Sequence, residues 1–301
     1  MSALARYFKS LGKNVLGYDK TETKLTKKLQ EEGTKTPQAP VLGKVTIPEG
    51  YTIDQIATAI TTDVSTKKAG KTPFKKEDFL KAVQDDAFIE KMVAKYPKLL
   101  ANLPSKDSGV RYRLEGYLFP ATYNYGKDTT VKEMIDQMLA AMDQNLSPYY
   151  ETLESKNINV NEVLTLASLV EKEGATDQDR KDIASVFYNR LNQDMPLQSN
   201  IAILYAEGKL GQKTTLKEDA TINTELDSPY NIYKNTGLMP GPVDNPGVSA
   251  IEAAVNPSKT DYLYFVANVE NGEVFFAKTY EEHNKNVEEH VNSKLTQASS
   301  N

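Results

Sequence analysis

The sequence predicts an α+β fold, with a mainly helical body carrying a small antiparallel sheet and a short strand-helix part ahead of it. Three observations predict this. Apolar residues recur every three or four positions over 131–146 and 160–173, the period of helices with a face in a core. Before three helical runs a Thr or Asn is followed three residues later by an acid (Asn159 with Glu162, Thr176 with Asp179, Thr279 with Glu282), the reciprocal pair that opens a helix. Asn271-Gly272 stands between the β-rich runs DYLYFVANV and EVFFAKT, the signature of a two-residue hairpin turn.

Taken in order, residues 1–42 are Lys-rich and uneven, with one helix expected over Thr23 to Glu32 and stopped by Gly33. The following TKTPQAPVLG, with two prolines and few apolar residues, reads as a linker. KVTIPEGYTIDQIATAI then predicts a short alternating strand, a Pro-Glu-Gly turn and an amphipathic helix bearing Ile53, Ile56 and Ile60. Residues 76–101 read as further helices. RYRLEGYLFPATYNYG is aromatic and irregular, and Pro120 excludes a long helix there. From Thr130 the chain turns helical, with Met134, Ile135, Met138 and Met142 on one stripe. A helix follows over Val160 to Glu173, with Gly174 expected as its left-handed C-terminal cap, and another over Thr176 to Leu191. Between Tyr230 and Gly247, prolines and glycines predict a rigid loop before a helix over Ser249 to Val255. After the hairpin a last helix opens at Thr279, and the chain frays from about Ser293. The expected division is 1–42, 43–126 and 127–301.

Composition narrows the function classes. The 301 residues are 39% hydrophobic, enough to bury a core, and a net charge of -5 with scattered Lys and Arg leaves no footprint for nucleic acid. Without cysteine there is neither a disulfide framework nor a thiolate metal site. No apolar run reaches membrane-spanning length, and the residues after Met1 lack the apolar core of a signal peptide, so the chain as written reads as soluble.

The chemistry concentrates at LTLASLVEKEGAT, residues 164–176, where an apolar helix ends on Glu171 and Glu173 against its own dipole. On a helical wheel both glutamates border the apolar stripe and Lys172 lies opposite. Apolar neighbours and a helix C-terminus disfavour the charged carboxylate, and a raised pKa suits a general acid. The bland alternative is that both are half-exposed and pair with Lys172, Arg180 or Lys181, and the wheel leaves the two glutamates nearly tied. Nucleophile and metal readings are poor. His283 and His290 share one face of the last helix, EEHNKNVEEH is not HExxH, and Ser168 has no elbow glycines, so a solvated face is the expectation for both histidines. The tyrosines and asparagines of YNIYKNTGLMPGPVDNPG offer stacking faces and hydrogen bonds suited to a sugar.

In order and spacing, ASLVEKEG, SVFYNRL with MPLQSN, SPYNIYKNTGLMPGPVDNPG, NPSKTDYLYFVA and the late EEHN together resemble the MltG/YceG-like endolytic murein transglycosylases. KVTIPEGYT and LEGYLFPATYNY extend the likeness, which covers about Gly43 to His290, and the wording is most similar to a streptococcal member. The resemblance implies a lytic transglycosylase that cuts the β-1,4 bond between N-acetylmuramic acid and N-acetylglucosamine within nascent peptidoglycan strands. It leaves 1,6-anhydro ends and terminates elongation. It places the catalytic acid on the second glutamate of EKE, Glu173. Gln198, Asn200, Tyr230, Asn231 and Tyr233 are the candidates for orienting the sugar, on resemblance and side-chain chemistry together.

The resemblance implies no cofactor and no metal. Its partners are peptidoglycan glycan strands and the wall-elongation machinery with its penicillin-binding proteins. Family members work at the extracytoplasmic face of the membrane through an anchor, followed by a LysM-like subdomain of which residues 1–42 resemble only the tail. The chain therefore reads as a shortened form. Two positions depart from many relatives, Asn200 where they carry Asp and Glu273 where they carry His. A single acid suffices for the implied reaction because the 6-hydroxyl of the muramic acid is the nucleophile. A water-using muramidase would need Asp177, Asp179 or Asp227 as a second carboxylate. A non-catalytic wall-binding module is the third reading.

Overall fold

The computed structural model describes residues 40–66, 70–212, 222–268 and 271–293. The helix expected over 23–32 and the frayed end beyond 293 lie outside the described residues. Two units are distinguished. One joins the chain up to Leu42 with Asn124–Asp128; the other comprises Gly43–Tyr123 and Thr129–Asn301. In the first, the described residues are the start of one strand and the end of another. Apart from those strand ends, all that follows concerns the second.

The architecture is α+β, with three two-stranded sheets among the described residues. β1 (Val41–Thr46) pairs with β4 (Thr122–Gly126), and Gly43 and Val45 are its buried residues. The strand takes in Val41 to Gly43, which the sequence assigns to a linker; once Pro40 is passed, the alternating burial of β1 begins. α1 (Ile53–Ala59) opens with a full capping box at Thr52 and Gln55 and buries Ile53, Ile56 and Ile60 completely. β2 (Thr62–Asp63) and β3 (Gly70–Lys71) form a short antiparallel pair, and α2 (Lys76–Ala82) and α3 (Asp86–Lys95) follow.

α4 (Val131–Leu146) fulfils its stripe, since Met134, Ile135, Met138 and Met142 are all fully buried. α5 (Tyr150–Lys156) ends at Asn157 in a left-handed conformation and leads into α6 (Val160–Glu173), capped by Asn159 and Glu162. α6 differs from its wheel. Every residue from Val163 to Val170 is buried, including Thr165 and Ser168, so the helix has a core on all sides rather than one stripe. α7 (Asp177–Leu191) packs against it, α9 (Val248–Val255) packs on both, and the loop 240–247 lies along its remaining side. Ser168 ties that loop down: its hydroxyl donates to Thr165 O and accepts the Val243 N–H at 3.0 Å.

α8 (Asn200–Ala206) follows α7. β5 (Tyr264–Ala267) and β6 (Val274–Ala277) form the expected antiparallel hairpin, and α10 (Tyr280–Val287) continues into a π-helical turn, Glu288–Asn292. A two-residue turn at Asn271-Gly272 would pair residue 270 with 273. Instead Ala267 faces Val274, and Asn268 N–H donates to Glu273 O at 2.8 Å, so the turn is longer, with Gly272 in the left-handed region at φ 73. Phe265 packs edge-on against Phe187 of α7, which fixes the hairpin to the helical body. Neither histidine lies on a merely solvated face. His283 stacks on Tyr264 and His290 on Phe275, because α10 needs apolar surface against the hairpin and the imidazole rings supply it.

Candidate active site

The last turn of α6 carries Glu171, Lys172 and Glu173, and tertiary contacts sort the three. Glu171 Oε2 accepts the Gly247 N–H at 2.9 Å, while Oε1 faces the Arg180 guanidinium of α7 at 3.5 Å. Lys172 Nζ donates to the Gly50 carbonyl at 2.5 Å and stands 3.8 Å from the buried Asp244. Glu173 has a different partner. Its Oε1 accepts the Ser199 hydroxyl at 2.7 Å, and among the described residues no cation lies within ion-pair reach. Its second oxygen, Oε2, takes no hydrogen bond from them.

Electrostatics follow from this. Burial raises the pKa of Glu173 above the ordinary 4.5, and the Ser199 hydroxyl, which favours the carboxylate, draws it partly back. No charged neighbour contributes to that shift. Glu171 is also raised, by burial first, but the Gly247 N–H and the Arg180 and Lys172 charges oppose it. The paired-glutamate reading thus holds for Glu171 and not for Glu173. Gly174 is not a left-handed cap. It is extended, at φ -100 and ψ 125, and a Cβ there would sit 2.6 Å from Arg180 Cγ, so the glycine admits the arginine that holds Glu171.

Ser199 reaches Glu173 because the turn before it is held from behind. Arg190 of α7, only 6% exposed, donates to Leu263 O, Pro196 O, Leu197 O and Gln198 Oε1. Gln198 sits at φ 58 and its N–H donates to Ile232 O. Ser199 then caps α8, its Oγ accepting the Ile201 N–H at 3.2 Å. One residue on, Asn200 Oδ1 accepts the Tyr233 hydroxyl at 2.6 Å. Tyr233 lies close enough to Glu173 for the carboxylate's charge to raise its pKa, with burial the larger cause and Arg190 acting the other way.

Of the residues expected at the site, Glu173, Asn200 and Tyr233 come together, and Gln198 lies exposed on the turn that presents Ser199. Tyr230 and Asn231 do not join them; both are buried. Asn231 spends its side chain on its own loop, donating to Thr224 O and Leu226 O and accepting the Tyr233 N–H. The Tyr230 ring packs on Tyr205. Sequence reasoning passed over Ser199 and Arg190, although a serine at the head of NIAILYA is a helix-cap signal. It also passed over Glu115, which is buried and pushed well above the carboxylate range by desolvation. Glu115 accepts hydrogen bonds from Ile53 N–H, Asn245 Nδ2 and the Tyr205 hydroxyl, so it is a strut between α1, α8 and the 240–247 loop rather than a free acid.

The three aspartates are engaged or apart. Asp179 completes the α7 capping box, Asp177 bonds Ser249 and faces Arg180, and Asp227 is exposed. A cleft of about 430 Å³, lined by Asp54, Gln55, Arg111 and Gly208 among others, includes neither Glu173 nor Ser199 in its wall, and its Arg111 is already paired to Asp54. The site is therefore defined by a half-buried carboxylic acid that, among the described residues, is hydrogen-bonded on one oxygen only, beside an Asn-Tyr wall.

The model of the YceG-like family matches residues 11–289. The chain belongs to the YceG-like family. It is 63% identical over 271 residues to an endolytic murein transglycosylase of Streptococcus pneumoniae serotype 2 strain D39, covering 90% of this chain and 49% of that protein. It is 41% identical over 252 residues to the endolytic murein transglycosylase of Bacillus subtilis strain 168, covering 83% of this chain and 66% of that one. The chain spans about half the length of its streptococcal relatives. A 2.6 Å crystal structure of a YceG-like protein from Listeria monocytogenes superposes with a TM-score of 0.71 at 46% identity, covering 87% of this chain and 80% of that one.

Proposed function

We propose that this YceG-like chain is an endolytic lytic transglycosylase acting on peptidoglycan, with Glu173 as its single acid and base. The observation that carries the reading is the split between the two glutamates: Glu171 is tied to Gly247 and Arg180, whereas Glu173 is half-buried, raised in pKa and, among the described residues, bonded on one oxygen only. The names of the streptococcal and Bacillus relatives support the substrate class.

Protonated Glu173 donates to the glycosidic oxygen as the bond from C1 of N-acetylmuramic acid breaks. The same sugar's 6-hydroxyl then attacks C1 and loses its proton to the carboxylate, which restores the acid. One C–O bond breaks, one forms, and no water is consumed. Intramolecular attack replaces a second carboxylate with proximity. That suits a site where no neighbouring carboxylate perturbs Glu173 and where Asp177 and Asp179 serve other contacts. Asn200 and Tyr233 orient the sugar and its N-acetyl group, Gln198 borders them, and Asn231 shapes the loop that presents Tyr233. Tyr230 acts behind that loop.

In this reading residues 127–301 form the catalytic core and 43–126 brace it through Gly50, Glu115 and Leu118, which bond Lys172 and Asn245. Among the described residues no helix is long and apolar enough to cross a membrane. Glu173→Gln keeps size and an acceptor for Ser199 but cannot carry the proton. Cleavage of uncrosslinked glycan should fall ~100-fold or more with the circular dichroism spectrum unchanged. A folded variant cutting at the wild-type rate contradicts the assignment.

A further inference from the structure

Resting on the reading of Glu173 as the acid, we infer that Ser199 decides which oxygen of Glu173 carries the catalytic proton, and that it is a positioning residue as well as a helix cap. Ser199 Oγ lies 2.7 Å from Glu173 Oε1 and accepts the Ile201 N–H at 3.2 Å. A hydroxyl has one proton and two lone pairs. With one lone pair held by Ile201, and no other acceptor for the hydroxyl proton among the described residues, that proton goes to Oε1. Oε1 is then an acceptor in both protonation states, and the acid proton resides on Oε2, the oxygen with no partner. Ser199 is 3% exposed and cannot swing away, because Arg190 and Ile232 O hold the turn before it.

The other charged groups around Glu173 do not duplicate this control. On its own helix Glu171 faces Gly247 and Arg180, and Lys172 faces Gly50 and Asp244. From α7, Arg190 acts on the Gln198 turn and on Tyr233; from the 230–247 loop, Tyr233 bonds Asn200. Among the described residues Ser199 alone hydrogen-bonds the acid. When the proton leaves Oε2, the same hydroxyl meets a full carboxylate and its hydrogen bond becomes charge-assisted, the strong kind. The bond therefore stabilises the state of Glu173 between its two proton transfers.

The test compares Ser199→Ala, Ser199→Gly and Ser199→Thr in the full chain. Glycine is nearly as good a helix cap as serine and alanine is poor, so the two separate capping from the hydroxyl. Glu173 is titrated directly by carboxyl ¹³C NMR, and glycan cleavage is followed against pH. In both Ala and Gly variants Glu173 should titrate at higher pH than in wild type, the alkaline limb of cleavage should move up with it, and turnover at pH 7 should fall about tenfold. Threonine should restore all three. An unmoved Glu173 titration in Ala and Gly, or losses that follow capping so that Gly behaves as wild type, overturns the inference. A titration that moves while the cleavage limb stays leaves the Ser199 assignment standing and overturns Glu173 as the acid.

Discussion

Glu171→Ala separates a structural glutamate from a chemical one two residues away. The substitution removes the acceptor of the Gly247 N–H and the anion beside Arg180, whose side chain is 16% exposed. A hydrogen bond to a charged group contributes about 1.5–3 kcal/mol, and stranding one partner of a buried ion pair costs about 3–5 kcal/mol. The two overlap rather than add, because both run through one carboxylate. Arg180 also keeps a weaker anion in Asp177, at 3.6 Å and 82% exposed. The lower end applies, about 3 kcal/mol, which for a chain of this size lowers the melting temperature by roughly 5 °C. Glu173→Gln leaves its one hydrogen bond possible and should stay within about 1 kcal/mol of wild type at pH 7. Thermal and urea unfolding followed by circular dichroism measure both. A loss below about 1 kcal/mol in Glu171→Ala, or equal losses in the two variants, refutes the division of labour.

Two further outcomes follow from the same contacts. The folded-state pKa of Glu173 is raised above 4.5, so its contribution to stability is fully present below that value and is lost as pH rises through the raised value. Glu173→Gln should therefore gain stability over wild type progressively above pH 4.5, and an advantage that shrinks with rising pH would contradict the sign. Gly116→Ala should destabilise by about 2–4 kcal/mol, since the residue sits at φ 84 and a Cβ would lie 2.3 Å from Pro242 Cβ; unchanged urea unfolding would show that the 240–247 loop yields.

Much of the fold was legible because it is local. Capping boxes at Asn159, Thr176 and Thr279 and the methionine stripe of α4 lie within one helical turn or two, and all are realised. The hairpin was legible, though its turn was not, since Asn-Gly chemistry also serves longer loops with one left-handed glycine. The candidate site was half legible. A wheel places Glu171 and Glu173 alike because what divides them is non-local: Gly247 lies 76 residues from Glu171, and Ser199 lies 26 from Glu173. Gln198 and Asn200 were singled out while Ser199 between them was not, because a cap and an acid's partner look the same in sequence. Asn231 misled for the opposite reason. An asparagine in a tight loop often turns its amide onto neighbouring backbone, and here it does.

The central claim is that a lone, half-buried acid lets the sugar's own hydroxyl, and not water, complete the reaction. Digestion of uncrosslinked glycan in H₂¹⁸O followed by mass spectrometry of the new muramic ends tests it. The account predicts 1,6-anhydro ends, lighter by one water than reducing ends and free of ¹⁸O; reducing ends carrying one ¹⁸O would contradict it.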